Sequence, residues 1–157
     1  MTRYALAFVL LLLIGCSGAN RPMQLSDTPT TPSRCFGHDI CTASTAIVRD
    51  EQHLKIVVSG IYHPIKAANI WIDGTTYPLQ LSQSRTVYNK TLTGLRASVH
   101  RFSIPPGIRN KLQQGVRVKL YTDLQSYSLS HTLKRPGYTD TQWHTLLAAV
   151  EPEHSPN

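Results

Sequence analysis

The sequence predicts a mainly β protein: a small antiparallel β-sandwich or partly open barrel, with one short helical turn and a C-terminal helix packed on the sheet. Three observations predict it. Apolar and polar residues alternate with period two over most of the chain after residue 45, which is the pattern of strands with one face packed and one face wet. Turn-forming residues, Asp73-Gly74 above all, punctuate these runs. Only two stretches, near residues 107–114 and 139–150, shift to helical spacing.

The elements follow in order. Residues 45–50 form a first strand. Leu54, Ile56 and Val58 alternate with Lys55, Val57 and Ser59 in a second. Residues 69–73 and 76–81 are strands joined by Asp73-Gly74, both tolerant of positive φ, so that 68–73 folds back onto 75–81. Residues 85–92 and 98–104 are further strands. Pro105-Pro106 then opens a helical turn over 107–114, with Ile108 and Leu112 four apart and Gly115 as a stop. Val116, Val118 and Leu120 alternate with Arg117, Lys119 and Tyr121, and Tyr127, Leu129, His131 and Leu133 alternate with Ser126, Ser128, Ser130 and Thr132. Thr122-Asp123-Leu124-Gln125 is the expected connection between these two runs. By alternation His131 faces the apolar side, as a partly buried, hydrogen-bonded histidine. Thr139 and Gln142 fit a capping box, the threonine accepting the Gln142 amide while Gln142 reaches back. Trp143, Leu146, Leu147 and Val150 follow on one helical face, which is expected to close the core.

The N-terminus carries a different message. Arg3 precedes an unbroken apolar run over residues 5–14, ending in Leu13-Ile14-Gly15-Cys16. Ten residues are too few for a bilayer core, which needs about 20 helical residues. A charged start and a short apolar run are the pattern of an export signal. The Leu13-Ile14-Gly15-Cys16 ending resembles the lipobox of bacterial lipoproteins. That resemblance implies cleavage before Cys16 and acylation of Cys16, so that residues 1–15 are a signal peptide. It also implies an outer-membrane, lipid-anchored location with the domain facing the periplasm, since an Asp after the cysteine favours inner-membrane retention and Ser17 stands there instead. An acyl chain contributes about 0.8 kcal/mol per buried CH₂, and the several chains of a lipoprotein make a lasting anchor.

Cleavage would leave 142 residues, the size of one domain. Residues 16–34, with three prolines and many small polar residues, read as the lipidated cysteine and a flexible tether. Fully extended, eighteen residues reach about 60 Å. Residues 35–150 form the single periplasmic domain and residues 151–157 a frayed tail. Cys35 and Cys41 are the remaining thiols. In an oxidising compartment they pair most simply as a disulfide, closing a short loop for roughly 2 kcal/mol. The alternative is a redox or metal site with His38 and Asp39, for which the second cysteine pair of a zinc site is missing.

The charge is uneven. Residues 52–135 hold twelve basic side chains against Asp73 and Asp123, a local excess of +10 in a chain of net charge +7. Such a field attracts anions: lipid headgroups, lipopolysaccharide phosphates, acidic cell-wall polymers or an acidic protein face. The alternative is a basic surface that only aids solubility. No nucleic-acid partner is expected, because no binding motif appears and aromatics do not interleave with the basic residues in a repeat. Tyr62-His63-Pro64, beside Lys66 and near Trp71, reads as a loop on a rigid scaffold, where recognition often resides. The expected binding surface is therefore Tyr62, His63, Lys66, Trp71, Arg117 and Lys119. In the competing reading Tyr62 and Trp71 complete the core edge.

No catalytic constellation stands out. There is no G-x-S-x-G and no H-E-x-x-H, and Asp73 and Asp123 sit at expected turns, where aspartate is usually a turn-former. His53, His63, His100, His131 and His144 are scattered without paired spacing. No enzyme, metal or cofactor is expected. Residues 108–147, a helical turn, a basic hairpin, then Pro136-Gly137-Tyr138 and a closing helix, are similar to the C-terminal portion of invasion-associated locus B-type periplasmic proteins. The likeness covers about a quarter of the chain, with Tyr138 in place of that family's aromatic and different cysteine positions. It implies a small β-rich envelope domain without known catalysis. The expected function is a lipid-anchored binding or adaptor module, part of an envelope-spanning assembly. The alternatives are an inhibitor or exclusion lipoprotein acting on an incoming enzyme, phage or conjugative partner, and, third, a cell-wall hydrolase.

Overall fold

The period-two alternation resolves into two antiparallel sheets. The structure, a computed structural model, describes residues 31–32, 34–36, 43–50, 53–91 and 94–150. In the first sheet β1 (Thr31–Pro32), β3 (Ser44–Asp50), β4 (His53–Ser59), β9 (Arg96–Ser103) and β7 (Gln80–Leu81) lie in that order, and β8 (Val87–Lys90) also pairs with β9. In the second the order is β12 (Tyr138–Thr139), β11 (Ser128–Arg135), β10 (Val118–Leu124), β5 (Ile65–Ile72) and β6 (Thr75–Pro78), with β2 (Arg34–Phe36) also on β11. The sheets do not close into a barrel; the architecture is the expected small sandwich.

The alternating residues meet in one main core. Leu54, Ile56, Val58 and Phe102 come from the first sheet, and Ile70, Ile72, Val118, Leu120, Leu129 and Leu133 from the second. Two helices complete it, α1 (Ile108–Gln114) through Ile108 and Leu112, and α2 (Gln142–Ala149) through Trp143 and Leu146. The first sheet also buries a small cluster on its other face, where Ala46, Val57 and Val99 stand in register and Ala97 lies two residues along β9.

Asp73-Gly74 turns the β5–β6 hairpin as expected, with φ of 46° and 102°, the positive values that a two-residue turn requires. Gly115 ends α1, and a methyl group there would stand 2.8 Å from Ile72 Cγ2; that close approach explains the glycine better than its backbone angles do.

Several local expectations are corrected. Residues 76–81 are not one strand: Leu79 turns inward to the core, donating its amide to Ala68 O at 2.9 Å. The chain thereby leaves β6 in one sheet and enters β7 in the other. The β10–β11 connection lies two residues later than expected, because Thr122 and Leu124 still face the core and the chain bends at Gln125 and Ser126. Val116 is 55% exposed and precedes β10 instead of starting its apolar face. Thr31, Pro32 and Arg34, within the span read as tether, pair with Thr45, Ser44 and Ser130, since a sheet edge satisfies any backbone regardless of side-chain polarity.

The expected capping box does not form. Asp140 Oδ1, not Thr139, accepts the Gln142 amide at 2.8 Å. The buried Gln142 side chain reaches across to β3, where its Oε1 accepts the Ile47 N–H at 2.7 Å and its Nε2 donates to Thr45 O at 3.0 Å. One side chain thus acts as two residues of a neighbouring strand and fastens α2 to the first sheet. Residues 1–15, Cys16, Cys41 and residues 151–157, which carry the expected leader, anchor, second bridge cysteine and tail, lie outside the described residues.

Candidate binding face

The second sheet packs one face into the core and presents the other. In β5 the inward positions are Ala68, Ile70 and Ile72, which turns Asn69 and Trp71 outward. In β10 inward Val118, Leu120, Thr122 and Leu124 leave Lys119, Tyr121 and Asp123 outward. Register then sets the neighbours: Trp71 stands opposite Lys119 on one side and Thr76 on the other, and Asn69 stands opposite Tyr121. Lys119 Nζ lies 5.4 Å from the Trp71 ring centroid, within the range of a cation–π contact. These outward residues of β5 and β10 are half-buried by one another, which holds their side chains in place without covering them.

Asp123 sits at the other end of this face, and it is not the turn-former expected of it. Its Oδ2 accepts from Asn69 Nδ2 at 3.3 Å and its Oδ1 from Ser128 Oγ at 2.5 Å. The carboxylate is therefore aimed, and each oxygen retains a second lone pair by chemistry. Asn69, Trp71, Thr76, Tyr121, Asp123 and Ser128 line an open trough of about 480 Å³. A second depression continues it past Trp71 to Asp73, Gly74, Val116 and Arg117. Asp73 shapes that end by accepting the amides of Val116 at 2.9 Å and Arg117 at 2.7 Å. Those two amides hold its carboxyl below the ordinary 3.8.

The residues expected to form one surface divide into two groups. Trp71, Arg117 and Lys119 come together at the Asp73-Gly74 end of the second sheet. Lys66 lies five residues back along β5, about 16 Å away at strand rise, and is exposed there. Tyr62 and His63 belong to that far end. The Tyr62 ring packs edge-on to Tyr88 at 5.6 Å and under Arg96 at 5.6 Å, while His63 meets Tyr127 at 5.7 Å. Neither Tyr62 nor Trp71 joins the core cluster, so the core-edge reading of the two aromatics is set aside. Residues sequence reasoning missed are Asn69, Tyr121, Asp123 and Ser128. Their signal was present: each is the polar partner of an inward apolar residue on a strand that carries Trp71 or Lys119, or pairs with one that does.

The basic excess also divides. Lys55 and Arg101 both pair with Asp50, at 3.0 and 2.6 Å, on the first sheet. Lys111, Lys119, Lys134 and Arg135 each lie over an aromatic ring, of Tyr77, Trp71, Trp143 and Tyr138 respectively. Three of these four rings belong to the second sheet. Of the four cations, Lys119 stands at the Trp71 end, where Arg117 and Lys134 also lie close enough to Asp73 to favour its ionised form.

His131 is buried, as alternation predicts, but its hydrogen bonding is incomplete. Its Nε2 stands 3.4 Å from Asp140 Oδ2 without hydrogen-bond geometry, and Nδ1 has no partner among the described residues. Burial holds the imidazole below its ordinary 6.5, against the pull of Asp140. Burial also pushes the Asp140 carboxyl up, but the Gln142 amide, His131 and the Tyr138 hydroxyl outweigh it and keep it below 3.8. For both groups the unfolded chain binds protons more readily than the folded one, so acid favours unfolding. We expect the melting temperature to fall as pH drops below about 6.5, and again below about 3.8. His131→Leu should flatten the first decline and leave the second; an unchanged slope between pH 7 and 5 would show that His131 is not its source.

No match to the chain was found among protein-family models, curated proteins or solved structures.

Proposed function

We propose that this chain is a lipid-anchored binding or adaptor module of the bacterial cell envelope, held at the outer membrane through Cys16. Its outer face on the second sheet engages an anionic envelope component or the acidic face of a partner protein. The leader ending in Leu13-Ile14-Gly15-Cys16 supports the location. The observation that carries the binding reading is the juxtaposition of half-buried Trp71 and Lys119 on the sheet face with exposed Arg117 just before β10, next to an open trough. A face made only for solubility needs neither an aligned aromatic nor an aimed carboxylate. Mature protein immobilised on a matrix should retain anionic material from solubilised envelopes. The Arg117→Glu, Lys119→Glu double variant should retain at least fivefold less at low salt, and the difference should shrink as salt screens the charges. Equal retention by both proteins would remove this face from the account.

A further inference from the structure

We infer that the trough on the second sheet is a saccharide site for an acidic glycan strand, with Trp71 as the stacking platform and Lys119 and Arg117 as the carboxylate-facing charges. The inference rests on the proposed binding role and names the ligand class for that same face.

Four features of the trough select a glycan. Trp71 faces outward near the Asp73-Gly74 end of the second sheet, and the axial C–H groups of a pyranose carry the partial positive charge that the negative face of a π system attracts. Tyr121 is its diagonal neighbour across the Trp71–Lys119 and Asn69–Tyr121 pairs. Such neighbours stand about 7–8 Å apart, which suits contact with successive parts of one extended molecule. Next, Asn69, Asp123, Ser128 and Thr76 surround the aromatic pair with amide, carboxylate and hydroxyl groups, the groups that exchange hydrogen bonds with sugar hydroxyls. Asp123 is the most telling of these, because Asn69 and Ser128 fix its plane and a fixed carboxylate is a strong acceptor for vicinal hydroxyls. Finally, cations stand beside the platform, where Lys119 lies over Trp71 and Arg117 lines the adjoining depression with Asp73.

Carboxylates flank these cations, Asp123 in the trough and Asp73 beside Arg117, and that mixture of acceptors and cations decides between occupants. The planar anionic surface of a bilayer would set its phosphates against Asp123 as well as against Lys119. A glycan donates hydroxyl protons to Asp123 and brings a carboxylate to Lys119 and Arg117. The trough is open, so the ligand lies along it as a strand instead of entering as a buried small molecule.

The chain has two tryptophans, and Trp143 is 6% exposed, so ligand-induced changes in tryptophan emission report Trp71. The test titrates the mature full-length protein, its anchor already inserted in neutral phosphatidylcholine nanodiscs, with three probes. These are a tetrasaccharide of alternating uronic acid and N-acetylhexosamine, neutral chitotetraose, and vesicles of phosphatidylglycerol. We expect the acidic tetrasaccharide to bind at least threefold tighter than chitotetraose, with a blue shift of Trp71 emission. Trp71→Ala, read by calorimetry, should weaken both sugars at least tenfold. Lys119→Gln should remove most of the acidic preference, bringing the affinities for the acidic and the neutral tetrasaccharide to within twofold of each other. Thermal melts matching the parent establish that the variants are folded. Undiminished sugar binding by Trp71→Ala, or vesicle binding with no response to either sugar, overturns the glycan assignment. Loss of envelope retention in the charge-reversed double variant together with no sugar binding would overturn this inference while leaving the binding module intact.

Discussion

Gln142→Leu should destabilise the fold by about 2–5 kcal/mol, from the loss of two bonds to buried backbone groups at roughly 1–3 kcal/mol each. Leucine keeps the volume and the helix propensity at this position, so the loss reports the hydrogen bonds and not the helix. Ile47 N–H would lose its acceptor and Thr45 O one of its donors, both in the interior at the edge of β3. Gln142→Glu makes a sharper comparison, because it keeps an acceptor for Ile47 but turns the donor to Thr45 into a second oxygen. It should fall below the parent at neutral pH and recover part of the difference in acid, where the carboxyl can donate again. Equilibrium urea unfolding followed by circular dichroism reads both; a leucine variant within 1 kcal/mol of the parent would mean that α2 is not fastened to the first sheet in this way.

Asp140→Ala should cost about 2–4 kcal/mol, the range for losing charge-assisted bonds at a buried carboxylate. Its Oδ1 accepts the first helical amide of α2 and its Oδ2 accepts the Tyr138 hydroxyl at 3.0 Å while facing His131. The residue therefore caps the helix, pins β12 and accompanies a buried imidazole. Asp140→Asn keeps one oxygen as acceptor for the Gln142 amide and sets an amide N–H against Tyr138, whose hydroxyl can accept it, so it should lose less than half as much. It also withdraws the negative charge that raises the His131 pKa, so the melting temperature of the asparagine variant should lose more than the parent's between pH 7 and 5. If alanine and asparagine are equally mild, the carboxylate is not the joint between helix, sheet and histidine. Because Asp140 and Gln142 share a bond, the double variant should fall short of the sum of the two.

What could be read from the sequence was whatever local chemistry decides. Leu54, Ile56 and Val58 announce a strand because period two admits no other packed element. Asp73-Gly74 announces a hairpin because positive φ is cheap there and costly elsewhere. Gly115 announces the end of a helix. The capping box failed because Asp140 out-competes Thr139 for the same amide, and because Gln142 finds two partners nearly a hundred residues away in sequence. Nothing within a few residues of Gln142 could reveal them.

The candidate site divided for a related reason. Tyr62, His63, Lys66 and Trp71 are near one another in the chain, but β5 is extended, and extension carries residues 65 and 72 to opposite ends of a sheet. Trp71 and Lys119 are distant in the chain, and only the β5–β10 register makes them neighbours. Alternation marks Lys119 and Tyr121 as one outward face of one strand and leaves Asp123 to the expected turn. It could not say which other strand would lie beside it, and so Asn69 and Ser128 escaped notice although each carried the same outward mark.

The account as a whole rests on the anchor that brings this face to the envelope. Intact-mass analysis of the protein, produced with its full leader in a Gram-negative host, tests that anchor most directly. The mature product should begin at Cys16 and carry the added mass of a diacylglyceryl group, with or without a further N-acyl chain, and Cys16→Ala should abolish both the processing and the added mass. A mature chain that begins elsewhere, or that carries a bare thiol at Cys16, would contradict it.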